Sequence, residues 1–175
     1  YKRQALHRAI GDVVARHEIL RTVYPFVEGE PAQVILPADS VRMEVVQVAE
    51  SDVDQAITEL IAAPFDLTAG ASTRIVLFEL GGDAWVLAVI LHHIGGDGSS
   101  LGPLARDIMT AYVARLQGEA PGWVPLPVQY ADYAIWQRAV LGSESDPNSL
   151  LRAQIDYWAE QLADTCLLYT SPSPR

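Results

Sequence analysis

Residues 87–100 read LAVILHHIGGDGSS, in which an apolar run leads directly into two histidines and a glycine-rich segment. Another apolar run, STRIVLFELG at 72–81, precedes it and is joined to it across Gly81, Gly82 and Asp83. Two such runs around a glycine-rich turn predict a β-hairpin. Because the second strand is apolar on both faces, we expect it to lie in the centre of a sheet.

The residues on either side of this hairpin predict a chain of the mixed α/β class. Apolar residues at helical spacing mark the helices, and alternating or β-branched residues mark the strands. In chain order, the patterns predict a helix to about Glu18, a β-hairpin over 20–38, a strand over 41–48 and helices over 51–63, 99–118, 131–142 and 149–162. The expected apolar faces are Val53, Ile57, Leu60 and Ile61 on the helix over 51–63, and Leu101, Leu104, Ile108, Met109 and Val113 on the helix over 99–118.

Composition narrows the classes of protein to which the chain can belong. Half of its 175 residues are apolar and 19% are charged, which is typical of one folded domain. The net charge of -10 disfavours nucleic acid and anionic membranes as partners. No apolar run approaches the ~20 residues of a membrane-spanning helix, so we expect a cytoplasmic protein. The single cysteine, Cys166, has no partner for an internal disulfide, in keeping with a reducing compartment.

The two ends of the sequence differ from the segment between them. The helical pattern is already in progress in the first residues, so we expect the chain to begin inside an element. At the other end, the helical pattern gives way to CLLYTSPSPR, whose Ser-Pro repeats interrupt it. We therefore expect the domain to occupy residues 1–164 and residues 165–175 to be an artefactual or disordered tail.

The two histidines need separate explanations, because successive side chains of a strand point to opposite faces. One ring is expected to turn inward as a structural group and the other to project toward a cleft, and spacing alone does not assign them. Asp97 follows His93 by four residues, and Gly98 lets the chain turn sharply before the next helix. An imidazole near a carboxylate and exposed backbone amides suits general-base catalysis of attack by an amine or hydroxyl on an activated carbonyl.

Three other interpretations of this loop stay open at this point. A zinc site needs further ligands at defined spacing, and His7 and His17 on the first helix do not provide them. A phosphate-binding loop needs the P-loop lysine or a fuller glycine pattern than GGDGSS. In the third interpretation, both rings are ordinary polar groups at a strand end.

Three further segments complete a pattern. These are the charged cluster ARHEILRT at 15–22, YADYAIWQ at 130–137, and YWAEQL at 157–162. Taken singly, they could be a solvated helix end and core packing. Together with LHHIGGDG, in this order and spacing, they resemble the condensation domains of nonribosomal peptide synthetases, whose motifs are RHExLRT, HHxxxDG and YxDYAxWQ. HxxxD alone is shared with the wider chloramphenicol-acetyltransferase-like superfamily.

The resemblance implies a fold, a reaction and a role for each site residue. The fold is a chloramphenicol-acetyltransferase-like amino-terminal lobe, with a mixed central sheet flanked by helices. The reaction is amide formation between two carrier-bound thioesters. His93 would remove or orient the proton of the attacking amine, His92 would be the inward ring, and Asp97 would form a structural ion pair with Arg16. The backbone N–H of Gly98 would face the developing oxyanion.

The resemblance also implies the partners. No intrinsic cofactor and no metal are expected, since phosphopantetheine arms on carrier proteins bring the substrates, and neighbouring synthetase domains are further partners. The family's first motif and second lobe are missing, so we expect little activity from the fragment. Ser99 stands where tryptophan is common, while the intact histidines disfavour a heterocyclisation domain. Two alternatives stay open: a stand-alone acyltransferase of the superfamily, and a non-catalytic carrier-docking lobe.

Overall fold

A computed structural model describes residues 2–163 of the chain. The chain divides into two compact units, residues 1–131 and a unit that begins at Asp132. The expected tail at 165–175, and Cys166 within it, lie outside the described residues.

The order of elements agrees with the predicted α/β class. Short 3-10 helices precede β1, β5 and α2 in the chain. The α-helices are α1 (Lys2–Arg16), α2 (Val53–Ala62), α3 (Gly98–Leu116), α4 (Tyr130–Leu141) and α5 (Leu150–Gln161), and the strands are β1 (Thr22–Val23), β2 (Phe26–Val27), β3 (Glu30–Pro31), β4 (Val34–Ile35), β5 (Met43–Gln47), β6 (Thr73–Glu79) and β7 (Trp85–Leu91).

The first unit is built on a three-stranded mixed sheet in the order β5-β6-β7. β5 and β6 are parallel and are connected through α2, because parallel neighbours need a long crossover. β6 and β7 form the predicted antiparallel hairpin, with Leu77 opposite Leu87. The expected mixed sheet flanked by helices is therefore confirmed. The expected central position of β7 is wrong, since β6 lies between the other two strands of the described sheet.

Helices on both faces of the sheet explain why β7 is apolar on both sides. Ile75 and Leu77 of β6 pack with Leu87 and Val89 of β7 against residues of α1. The alternate residues of the same strands, among them Phe78, pack against α2. A strand that is covered on both faces reads as a continuous apolar run whether it is central or at an edge.

α3 packs along α1 through a narrower face than the sequence predicted. Leu104 and Ile108 contact the buried residues of α1, as expected, and the buried Ala111 joins them. Leu101, Met109 and Val113, which the apolar pattern also placed there, are half or more exposed. Beside the apolar contacts, Arg115 of α3 forms a two-point ion pair with Asp12 of α1, both N–O distances being 2.7 Å.

The predicted hairpin over 20–38 is present in two short ladders. β1 pairs with β4, and β2 pairs with β3 around Glu28 and Gly29. Both turn residues have positive φ, 54° and 88°, the combination that tight hairpin turns require.

In the second unit, α5 begins at a side-chain cap. The Oγ of Ser149 accepts the N–H of Arg152 at 3.0 Å and donates to the carbonyl of Ser143 at 2.6 Å. A serine in this position satisfies one of the N–H groups that a helix start leaves without an internal acceptor.

Candidate functional site

The strand β7 ends at Leu91, directly before His92 and His93. Because successive side chains of extended backbone point to opposite faces, the two rings point in different directions. His92 is half-buried: its Nδ1 accepts the N–H of Ile94 at 3.1 Å, and Phe65 meets the ring edge to face at a centroid distance of 5.6 Å. The backbone N–H of His92 donates to the carbonyl of Ser72 at 2.8 Å. The structure thus places His92 as the inward ring.

His93 points the other way, into an open cavity. The residue is exposed, and within residues 2–163 no hydrogen bond occupies either nitrogen of its ring. An imidazole held this way can accept or donate a proton to a molecule in the cavity. The placement agrees with the outward ring that the strand alternation predicted, while a catalytic role for His93 stays a prediction.

The cavity has a volume of about 510 Å³ and lies at the amino-terminal end of α3. Three of the sequence motifs meet in its wall. ARHEILRT provides His17, Ile19 and Leu20, the histidine loop provides Leu91 and residues 93–97, and YADYAIWQ provides Tyr130. The first turns of α3 complete the lining through Ser99, Ser100, Pro103 and Leu104. The wall is therefore mainly apolar, with two imidazoles among its polar groups.

Asp97 caps α3. One oxygen of its carboxylate accepts the N–H of Ser100 at 2.9 Å and the hydroxyl of Ser100 at 2.7 Å, and Ser100 Oγ accepts the N–H of Asp97 at 3.1 Å. These reciprocal bonds form a capping box. The bonds from Ser100, first from its side chain and then from its backbone, hold the pKa of the Asp97 carboxyl below its usual value. Asp97 is exposed, so its role is to fix the first turn of α3 and not to neutralise a buried charge.

The expected ion pair between Arg16 and Asp97 is wrong. Arg16 instead donates from Nε to Oδ2 of Asp107 at 3.0 Å, and from Nη1 to the carbonyl of Val124 at 2.8 Å. Its guanidinium lies 4.9 Å from the ring centre of Trp123. Asp97 is occupied at the helix cap, and ten helical residues separate it from Asp107 by about 15 Å. Asp107 lies on the side of α3 that packs against α1, within hydrogen-bond distance of Arg16, the last residue of α1.

The sequence did not identify His17 and Asp107 as residues of the site. Nε2 of His17 lies 2.8 Å from Oδ2 of Asp107, the same oxygen that Arg16 contacts, and His17 lines the cavity. Asp107 is only 8% exposed. The sequence signal was present, because Asp107 stands between Leu104 and Ile108 on the apolar face of α3, where a carboxylate needs buried partners.

Among the three glycines of the loop, Gly95 and not Gly98 has the restricted position. Gly98 is the first residue of α3; it does not have positive φ, and nothing lies within 4 Å of a Cβ built on it. Its atoms do not line the cavity, although those of Asp97 and Ser99 do. Gly95 is the restricted position, since a Cβ there would lie 2.5 Å from Ser72 Oγ. The expected sharp turn at Gly98 is therefore replaced by close packing at Gly95.

Among residues 2–163, no group of three or more His, Cys, Asp or Glu side chains could hold a metal ion. Within the same range, none of the helices is both long and apolar enough to cross a membrane.

Comparisons with known proteins agree with one another. A family model described as Condensation domain matches residues 1–173. A probable non-canonical nonribosomal peptide synthetase, CymA, of Salinispora arenicola is 47% identical over 98% of this chain and 2% of its own length. A dimodular nonribosomal peptide synthase of Bacillus subtilis is 47% identical over 90% of this chain and 7% of its own length.

Among solved structures, the X-domain from teicoplanin biosynthesis is 39% identical, with a TM-score of 0.88 over 98% of this chain and 38% of that one. In its complex with OxyB, the same X-domain is 38% identical with a TM-score of 0.83, and the shares covered are again 98% and 38%. The chain therefore spans a small part of the synthetases that it matches, and less than half of the solved domain.

Proposed function

Because the chain belongs to the condensation domain family, we propose that it forms the His93-bearing part of an acyltransferase-type enzyme that joins two carrier-bound thioesters through an amide bond. The synthetases that match the chain are many times longer, so the reaction is proposed for the full-length protein that carries this segment. The segment alone is expected to have little or no activity.

The observation that carries the proposal is the placement of His93. Its ring is exposed in a cavity of about 510 Å³, beside the start of α3 and among apolar residues. An apolar cavity with a few convergent polar groups is the usual form of a small-molecule site. The ring is reachable by a substrate, while His92 is tied to Ile94 and Phe65 and supports the loop from behind.

In the proposed reaction, the nitrogen of the acceptor amine attacks the carbonyl carbon of the donor thioester. The C–N bond forms, the C–S bond breaks, and the donor's thiol leaves. One proton passes from the amine nitrogen to the departing sulfur, and His93 is placed either to carry that proton as a general base and acid or to orient the amine. Both roles require Nδ1 or Nε2 of the ring to be free toward the cavity.

The start of α3 is the proposed site for the negative charge that develops on the carbonyl oxygen. The first N–H groups of a helix have no acceptor within the helix, and the helix dipole adds positive potential there. We propose that a backbone N–H of the turn from Asp97 to Ser99 is the donor to the oxyanion, with Asp97 fixing the geometry of that turn. The donor expected from the resemblance, Gly98, belongs to this turn but does not line the cavity. Arg16 supports the site at a distance, through Asp107.

The proposed partners follow from the proposed reaction. Carrier proteins would deliver both substrates on phosphopantetheine arms, so this chain needs no cofactor of its own. Neighbouring synthetase domains and the second lobe of the family would complete the reaction tunnel around the His93 cavity.

The test is the variant His93→Ala in the full-length protein. With aminoacyl thioesters of pantetheine as donor and acceptor, and mass spectrometry to measure the amide product, we expect a loss of about 100- to 10,000-fold in rate. His7→Ala is the matched control, because His7 is exposed on α1 and lies outside the cavity. An undiminished rate with His93→Ala would overturn the proposed catalytic role.

A second candidate, a docking domain without catalysis, is favoured by one observation. The X-domain that this chain resembles at a TM-score of 0.83 was solved in a complex with OxyB. Under this alternative, His93→Ala and His7→Ala would leave product formation by the full-length protein equally intact, whereas replacing a docking surface would abolish it.

A further inference from the structure

We propose that His17 is a positioning residue that holds the attacking amine through Nδ1 of its ring, an inference that rests on the proposed function. His17 is not required by the chemistry assigned to His93. It lines the same cavity from another element, the segment that follows α1, whereas His93 follows β7.

The tautomer of the His17 ring follows from its partner. A carboxylate accepts hydrogen bonds, so the 2.8 Å contact between Asp107 Oδ2 and Nε2 requires that Nε2 carry the hydrogen. In the neutral ring, Nδ1 then carries a lone pair, since the bond made by one ring nitrogen fixes the state of the other. No hydrogen bond within residues 2–163 uses this Nδ1.

Neighbouring residues fix both partners of the contact between His17 and Asp107, so the orientation of the His17 ring is defined. Asp107 has an 11% exposed side chain, and its Oδ2 also accepts from Nε of Arg16 at 3.0 Å. Arg16 is fixed in turn by the carbonyl of Val124 and by the face of Trp123. The backbone of His17 is fixed as well, since its N–H donates to the carbonyl of Val13 and its carbonyl accepts from Leu20.

Two imidazoles in the wall of one cavity suit a nucleophile that has two hydrogens to donate. A neutral amine can donate one N–H to Nδ1 of His17 while the proton that it must lose faces His93. A hydroxyl has a single hydrogen and cannot engage both rings as a donor. The arrangement therefore favours an amine over an alcohol as the acceptor of the acyl group.

The first test measures the tautomer directly on this chain. Spectra that correlate ring nitrogens with ring protons in the 15N-labelled chain identify which nitrogen of each histidine is protonated, and His17→Gln assigns the His17 signals. We expect hydrogen on Nε2 and a lone pair on Nδ1. Hydrogen on Nδ1 only, or on both nitrogens, overturns the inference.

The second test uses His17→Gln in the full-length protein. The terminal amide of Gln can keep the hydrogen bond to Asp107 while the acceptor at the Nδ1 position is lost. For the best aminoacyl-pantetheine acceptor, we expect KM to rise about 3- to 10-fold, the worth of one hydrogen bond, while kcat and the KM of the donor stay within about twofold. His7→Gln, the same change at an exposed position, should leave all three values unchanged.

The outcomes separate this inference from the proposed function. An unchanged acceptor KM in folded His17→Gln, together with a large loss in His93→Ala, overturns the role of His17 alone. An unchanged rate in His93→Ala overturns the proposed function itself. If His17→Gln does not fold, single substitutions of the other three histidines assign their signals and leave those of His17 by elimination. A His17 ring without a lone pair on Nδ1 then rejects the role.

Discussion

Asp107 joins two residues of the first sequence motif through a single carboxylate oxygen. Nε of Arg16 and Nε2 of His17 both approach its Oδ2, at 3.0 and 2.8 Å. The Arg16 and Asp107 side chains are 17% and 11% exposed, so water replaces these contacts poorly if one member is removed. The carboxylate thereby fixes the end of α1 against the middle of α3.

We expect Asp107→Ala to lower the free energy of unfolding by about 3 kcal/mol, because it leaves the charge of Arg16 partly buried without its partner. Asp97→Ala should cost clearly less, since Asp97 is exposed and serves as a helix cap. Urea denaturation of the two variants beside the unsubstituted chain measures both losses. Equal losses, or a larger loss for Asp97→Ala, would contradict the assignment of Asp107 as the buried partner.

At this scale the sequence predicted the directions of side chains better than their partners. The alternation of a strand depends on neighbouring residues only, so the opposite placement of His92 and His93 was predictable. The partner of Arg16 depends on how α1 crosses α3, and Asp97 and Asp107 were both available on or next to the same helix. No local pattern distinguishes a carboxylate that caps a helix from one that faces a neighbouring helix.

Among the elements, the loop from His92 to Asp97 is shaped by its contact with the start of β6. The N–H of Gly95 donates to the carbonyl of His92 at 2.8 Å, and the missing side chain lets the loop lie against Ser72, which is fully buried. Ser72 itself donates to the carbonyl of Ile19 at 3.3 Å. Gly95 therefore sets the distance between the histidine loop and the wall that carries His17.

Gly95→Ala is expected to lower the free energy of unfolding by about 1–3 kcal/mol, because the new Cβ would lie 2.5 Å from Ser72 Oγ and 3.2 Å from Ser72 Cβ. The same change at Gly98 should be nearly neutral, since the space there is open and the backbone is helical. Thermal unfolding of the two variants and of the unsubstituted chain measures how much stability each substitution removes. A larger loss at Gly98 than at Gly95 would show that the close packing is misplaced.

The elements themselves were largely predictable, and their neighbours in the fold were less so. The β6–β7 hairpin and the positions of α2, α3 and α5 follow from local patterns. The edge position of β7 could not be predicted, because helices on both faces produce the same apolar run as a central strand. On α3, the residues Leu101, Met109 and Val113 fit the apolar period but are exposed. The reason is that α1 covers only the face of Leu104, Ile108 and Ala111.

At the scale of the whole molecule, membership of the condensation domain family is confirmed by the match over residues 1–173. The four motifs that carried the resemblance are far apart in the sequence. Three of them contribute to one cavity within residues 1–131, namely ARHEILRT, LHHIGGDG and YADYAIWQ. The resemblance therefore identified residues that the fold brings together, although it did not identify Asp107, which holds one side of that cavity in place.

A buried apolar layer lies between α1 and the strands of the sheet in residues 1–131. Ile10 of α1 is 1% exposed and packs with Val14, Met43, Ile75 and Leu77 in that layer. On the other face, α2 presents Ile57 and Leu60 to the sheet, while Ile61 is 58% exposed, contrary to the expected apolar face. The same residue type thus occurs in a fully packed and in a solvated position of one unit.

We expect Ile10→Ala to lower the free energy of unfolding by about 2–5 kcal/mol, through lost burial and the cavity left between α1 and the sheet. Ile61→Ala, the same change at the exposed position, should stay within about 0.5 kcal/mol. Urea denaturation of both variants and of the unsubstituted chain, monitored by circular dichroism, measures the two losses in free energy of unfolding. Comparable losses would mean that α2 buries Ile61 in solution, and a negligible loss for Ile10→Ala would mean that α1 does not cover the sheet.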